Sequence, residues 1–132
     1  MPRFNIENVQ ALKDALYDSC FHDARITSIK HDYSSSTILL EAVNVYVKKE
    51  FKMEFHNVET LLATKGDWIC GNSDEIVSLS LENDFSYLRK SLPDYDKNIE
   101  MFLYLLFQTF SGDEIHVVCK EVSIDISALD NK

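Results

Sequence analysis

The sequence predicts an α+β fold: an N-terminal amphipathic helix packed on a mostly antiparallel sheet of about six strands. Three observations carry this. Ile6, Val9, Leu12 and Leu16 recur at helical spacing near the start of the chain. Later segments alternate apolar and polar residues with the period of a strand. Clusters of Ser, Gly, Asn and Asp interrupt them at short intervals. The 132 residues show no internal repeat or linker, so residues 1–132 read as one domain with one core.

The helix is expected from Ile6 to Asp18, with Glu7, Lys13 and Asp14 on its polar side. Asn5 is the expected N-cap, because its side-chain oxygen can accept from a backbone N–H that has no intrahelical partner. After a break at 19–23, Ala24 to Tyr33 mixes β-branched and polar residues and ends in Ser34-Ser35-Ser36, giving a first strand and a turn. Thr37 to Val47 is apolar on both faces at its start and reads as a central second strand. Following a polar break at Lys48-Lys49-Glu50, Phe51, Met53 and Phe55 alternate with Lys52, Glu54 and His56 as a third strand with one wet face.

The polar stretch from Thr64 to Asp74, built around Trp68 and Ile69, is expected to be a surface loop. Val77, Leu79 and Leu81 mark a fourth strand, and Phe85 to Leu92 a short helix or turn before Pro93. Asn98 to Phe110 is apolar on all sides, so periodicity alone does not separate a strand from a helix; its aromatics and the Ser111-Gly112-Asp113 turn favour a strand. In the last strand Ile115, Val117 and Cys119 share one face, whereas Val122, Ile124 and Ile126 share the other parity. A β-bulge near Lys120 and Glu121 is the expected cause.

The net charge of −9 argues against nucleic acid, whose phosphates need clustered Lys and Arg. It suits solubility or the capture of a basic protein. No apolar run is long enough to span a bilayer, and no secretory segment is evident, so a cytoplasmic location is expected. Three cysteines, Cys20, Cys70 and Cys119, are odd in number and lack a CxxC spacing, which predicts free thiols and no metal knuckle.

Candidate chemistry is sparse. The pairs His22-Asp23 and His31-Asp32 carry good metal-ligand types, but their spacing does not converge them on one ion. His22 and Asp23 are assigned instead to fixing the helix-to-strand turn. His56 and His116 fall on the polar sides of their strands, where solvated histidines are expected. Cys119 and His116 point to opposite faces of a strand, and no glycine-rich phosphate cradle is present. No catalytic residue, metal or cofactor is assigned. The best partner-binding candidates are Asp67, Trp68, Asp74 and Glu75, a tryptophan in a polar acidic loop. Carboxylates such as Glu41, Glu50 and Glu54 are candidates for a surrounding acidic face.

The run Phe21-His22-Asp23-Ala24-Arg25-Ile26, the strand Ile38-Leu39-Leu40 and the segment from Phe51 to Val58 resemble a small bacterial immunity-protein domain of polymorphic toxin systems. The resemblance covers the first half of the chain. It implies a non-enzymatic cytoplasmic inhibitor whose acidic face meets a basic toxin domain, and it carries over no catalytic residue. The expected function is therefore an acidic binding protein that occludes a toxin. The alternative is a structural domain that self-associates through an edge strand, for which the third strand is the natural contact.

Overall fold

The computed structural model describes residues 2–64, 75–91, 101–110 and 112–129. A short strand, β1 (Arg3–Asn5), leads through a 3-10 turn at Ile6–Asn8 into helix α1 (Val9–Ala15). Asn5 caps this entry: its side chain accepts from the Glu7 N–H at 2.8 Å, and Asn8 returns the contact by accepting from the Asn5 N–H at 2.6 Å. The helix is shorter than the apolar spacing from Ile6 to Asp18 suggests. Beyond Ala15 the bonds tighten to Tyr17 N–H on Asp14 and Asp18 N–H on Ala15, and the Asp18 carboxylate then takes the Cys20 N–H at 2.9 Å. A side chain that offers the backbone such a partner competes with the helix.

The remaining strands are β2 (Arg25–Asp32), β3 (Thr37–Asn44), β4 (Lys49–His56), β5 (Thr60–Thr64), β6 (Ile76–Leu81), β7 (Leu103–Thr109), β8 (Glu114–Cys119) and β9 (Glu121–Ala128). Helix α2 (Ser86–Ser91) lies between β6 and β7. Their named pairings are antiparallel. They form two sheets, of order β1-β9-β4-β3-β2 and β5-β8-β7-β6. Among the described residues, nine strands in two sheets replace the single sheet of about six expected from periodicity.

The difference has a local cause: the expected last strand passes from one sheet to the other, and β5, which the sequence reading does not assign, follows β4 into the second sheet at the same corner. Lys120 alone separates β8 from β9, and residues 57–59 separate β4 from β5. The pairs His56↔Glu121 and Thr60↔Val118 flank this corner. One path crosses it with residues 57, 58 and 59, the other with 119 and 120. That extra residue bends the ladder, with Asn57 at φ 53. The Lys120 N–H still donates to the His56 carbonyl (3.2 Å) and the Glu59 N–H to Val118 (2.8 Å). The change of parity near Lys120 and Glu121 is therefore a change of sheet.

The inner faces of the sheets enclose the main core. Phe51, Met53 and Phe55 of β4 meet Leu103, Leu105 and Phe107 of β7, and Leu12 of α1 closes one side. Phe55 and Phe107 lie edge to face at 6.1 Å. On the outer face of the second sheet, Tyr104, Leu106 and Val118 form a second cluster with Phe85 and Leu88 of the α2 segment. Strand β7 is thus buried on both faces, which is why Asn98 to Phe110 shows no clean periodicity.

The same cover overturns one expectation. His116 is 2% exposed rather than solvated, because the outer face of β8 is roofed by α2, whose Tyr87 stacks on the imidazole at 4.9 Å. Among the described residues, no helix is long and apolar enough to cross a membrane.

Candidate functional site

Three antiparallel strands bring one set of loops together. β2 begins, β3 ends and β4 begins at the same end of the first sheet, as the pairs Arg25↔Val43 and Asn44↔Lys49 require. The segment from Leu16 to Ala24 and the β3–β4 turn, residues 45–48, therefore lie side by side. Asn44 ties them. Its side chain is 1% exposed, and its Nδ2 donates to the carbonyls of His22 (2.8 Å) and Cys20 (3.1 Å). Its Oδ1 accepts from the N–H groups of Tyr46 (3.0 Å) and Val47 (3.3 Å). Two donors and two acceptor sites satisfy an amide completely, so a buried polar residue fixes two loops at once.

Further bonds make the frame rigid. Asp18 receives the Cys20 N–H and sits 3.6 Å from Lys49. The hydrogen bond from Cys20, with the Lys49 ammonium beside it, holds the Asp18 carboxyl below the usual range. Asp23 adopts φ 68, a left-handed conformation that a short polar side chain tolerates. Its N–H donates to Ile76 at 2.8 Å, and the Ile76 N–H donates to Ala24 at 2.8 Å. The Leu129 N–H closes the other side on the Lys48 carbonyl at 2.9 Å.

This frame holds apolar side chains out in water. Val45 is 62% exposed, Tyr46 68% and Val47 38%. The molecule contains its own control for what the turn requires. The β2–β3 turn is also four residues long, closed by Asp32↔Thr37. Asp32 Oδ1 accepts from the N–H groups of Ser34 (3.0 Å) and Ser35 (3.4 Å), as Asn44 does for Tyr46 and Val47. Each turn ends in one left-handed residue, Ser36 at φ 54 and Lys48 at φ 55. Tyr33-Ser34-Ser35-Ser36 thus builds the same geometry as Val45-Tyr46-Val47-Lys48. The backbone has no need of a Val-Tyr-Val tip.

Of the residues singled out in the sequence, Asp67, Trp68 and Asp74 lie outside the described residues. Glu75 is half-buried at the seam between the sheets, bridging Arg25 and accepting the Phe110 N–H on its carbonyl at 3.0 Å. The structure brings Glu75 beside His22 and Asp23, whose side chains meet at 3.0 Å on the surface. Glu41, Glu50 and Glu54 share the open outer face of the first sheet. That face is mixed in charge rather than acidic, since Lys52 stands between Glu41 and Asp125.

Other groups are quiet. Burial pushes the thiols of Cys20 and Cys119 up to about 12, so neither offers a thiolate near neutrality. His116 engages both ring nitrogens, with the Tyr104 hydroxyl at Nδ1 and Glu114 3.3 Å from Nε2. Because a carboxylate only accepts, the contact with Glu114 is made by an Nε2–H donor. Among the described residues, no group of three potential ligands is placed to hold a metal ion.

The described residues define a two-sheet antiparallel α+β protein with a rigidly framed, apolar hairpin tip. No family model matches the chain, and no curated protein is significantly similar to it. The sequence hides this tip because Val45 and Val47 continue the alternation of β3 and read as part of that strand. Asn44, an Asx residue four positions before Lys48, was the available signal of a turn.

Proposed function

We propose that this chain is a non-enzymatic binding protein whose partner, a basic protein, docks on the β3–β4 tip. The observation that carries this is the pair of equivalent turns: one sets Ser34 and Ser35 behind an exposed Tyr33, and the other presents three consecutive apolar side chains, Val45, Tyr46 and Val47, on the same backbone. Exposed aromatic and aliphatic anchors on a fixed frame are what binding hot spots require. The net charge of −9 supports a basic partner, whose encounter it accelerates. The resemblance of Phe21 to Ile26 and of the following strands to immunity proteins makes a cognate toxin domain the particular case.

The test is affinity capture from the source organism's lysate at low and moderate salt, using the wild type, a Val45→Ser/Tyr46→Ser variant and a Trp68→Ala variant. A single basic polypeptide, captured less at higher salt and lost in the tip variant, is the expected result. Capture unaffected by the tip variant but abolished by Trp68→Ala moves the surface to the segment around Trp68. Recovery of this chain alone favours self-association instead. In that event the contact is not β4, which is flanked by β3 and β9; among the described residues the terminal strands of the two sheets are the edges.

A further inference from the structure

We infer that the open edge of β6 accepts an extended segment of another protein as an added antiparallel strand, seated in the groove between β6 and the α1 segment. This surface is separate from the β3–β4 tip and does not depend on it. The Glu82 N–H donates to the Tyr104 carbonyl at 2.8 Å, and the pairs Leu81↔Leu105, Ser80↔Leu106 and Leu79↔Phe107 continue from there. Hydrogen-bonded pairs alternate along an antiparallel ladder. Ser80 and Glu82 therefore bond toward β7, while the N–H and C=O groups of Leu79 and Leu81 point to the edge, where no described residue pairs with them. Two donors and two acceptors in this order are the template that a further strand satisfies.

The edge is also unguarded. Residues 76–81 carry no charged side chain, and the bulge of β6, between Ile76 and Ser78, leaves the stretch from Ser78 onward regular. The edge strand β2, by contrast, carries Arg25, Lys30 and Asp32. Charges along an edge discourage pairing, and β6 lacks them.

The groove selects the side chains. Leu79 and Leu81 face the main core, and so do the residues of an added strand directly opposite them. Two adjoining cavities lie there. One, of about 300 Å³, is lined by Lys13, Leu16, Tyr17, Leu79, Ser80 and Leu81; the other, of about 210 Å³, includes Ile6, Val9, Leu81, Glu82, Phe85 and Phe102 in its walls. Neither exceeds the lower end of small-molecule sites, about 300 Å³, and each has the size for one large side chain. They meet at Leu81, as side chains at i and i+2 require, roughly 7 Å apart on one face of a strand.

Charge sets the polarity. Lys13 and Glu82 are half-buried at opposite ends of this groove, and neither has an ion-pair partner among the described residues. An antiparallel strand begins beside Glu82 and ends beside Lys13. The segment that fits therefore reads basic, apolar, any residue, apolar, acidic. The β6 of a second copy offers Ser78 in place of the basic residue and brings a further charge of −9, so a different protein is the occupant.

The experiment titrates the isotope-labelled full chain with the peptide acetyl-Ser-Lys-Leu-Thr-Leu-Glu-Ser-amide and follows backbone amides by NMR. Expected are saturable shifts at Leu79 and Leu81 with half-saturation below a millimolar, slowed exchange of both amides, and loss of binding when the two peptide leucines are N-methylated. Lys13→Glu should weaken binding at least tenfold, and a peptide with Lys in place of its Glu should restore it. The Val45→Ser/Tyr46→Ser variant should bind the peptide as the wild type does, so failure of the tip and failure of this groove are read separately. No saturable shift at Leu79 and Leu81, equal binding of the N-methylated peptide, or indifference to the Lys13 charge swap overturns the proposal. So does a dilution-dependent shift of the same amides in the protein alone, which assigns the edge to a second copy.

Discussion

Asn44 shows how one side chain sets the geometry of a surface. Replacing it with Ala orphans the Cys20 and His22 carbonyls and the Tyr46 and Val47 N–H groups. Leaving buried polar groups unpaired costs about 1–3 kcal/mol, so Asn44→Ala is expected to lower unfolding free energy by about 2–3 kcal/mol in urea titrations. Asp18 gives a prediction with a pH sign. Its folded pKa is depressed, so its contribution is present above the unfolded carboxylate value and is lost as pH falls through the folded one. The stability difference between wild type and Asp18→Asn should therefore be largest near neutrality and shrink below about pH 4. Cys20 and Cys119, with thiols near 12, should resist alkylation at pH 8 until denaturant is added, as peptide mapping would show. Residue roles of this kind were only partly visible in the chain. Asn5 was legible because capping is local. The burial of Asn44 and His116 was not, since the Cys20 and His22 carbonyls that Asn44 binds and the Tyr87 ring that covers His116 lie far away in sequence.

At the scale of elements, the two β-turns carry the argument. Because Asp32 and Asn44 brace them alike, the side chains at 45–47 can change with little effect on the fold. Val45→Ser/Tyr46→Ser should shift unfolding free energy by no more than about 0.5 kcal/mol, as surface substitutions do, and calorimetry checks this. Strands β2, β3, β4 and β6 were readable in outline from alternation, and β4, with Phe51, Met53 and Phe55 inward, most clearly. α1 came out shorter than its apolar stripe because Asp18 diverts the chain into a turn. β7 could not be read from periodicity, since the core lies on one of its faces and α2 covers the other.

At the scale of the molecule, alternation in single strands does not report how strands are divided between sheets. The corner at 57–59 and Lys120 left only a parity change in the sequence, which a bulge within one sheet explained equally well. The site expected around Trp68 lies outside the described residues, and the tip at 45–48 escapes a reading of the sequence for a related reason. Polar composition marks a loop, whereas an apolar turn passes for strand. The charge of −9 belongs to this scale too: raising salt should slow association with a basic partner more than it speeds dissociation. The most direct test of the central claim transfers one turn onto the other, as Val45→Tyr/Tyr46→Ser/Val47→Ser, and measures partner binding beside thermal unfolding. Unchanged unfolding with binding abolished is the result expected if the tip is the docking surface. Binding retained at wild-type strength in that variant would contradict it.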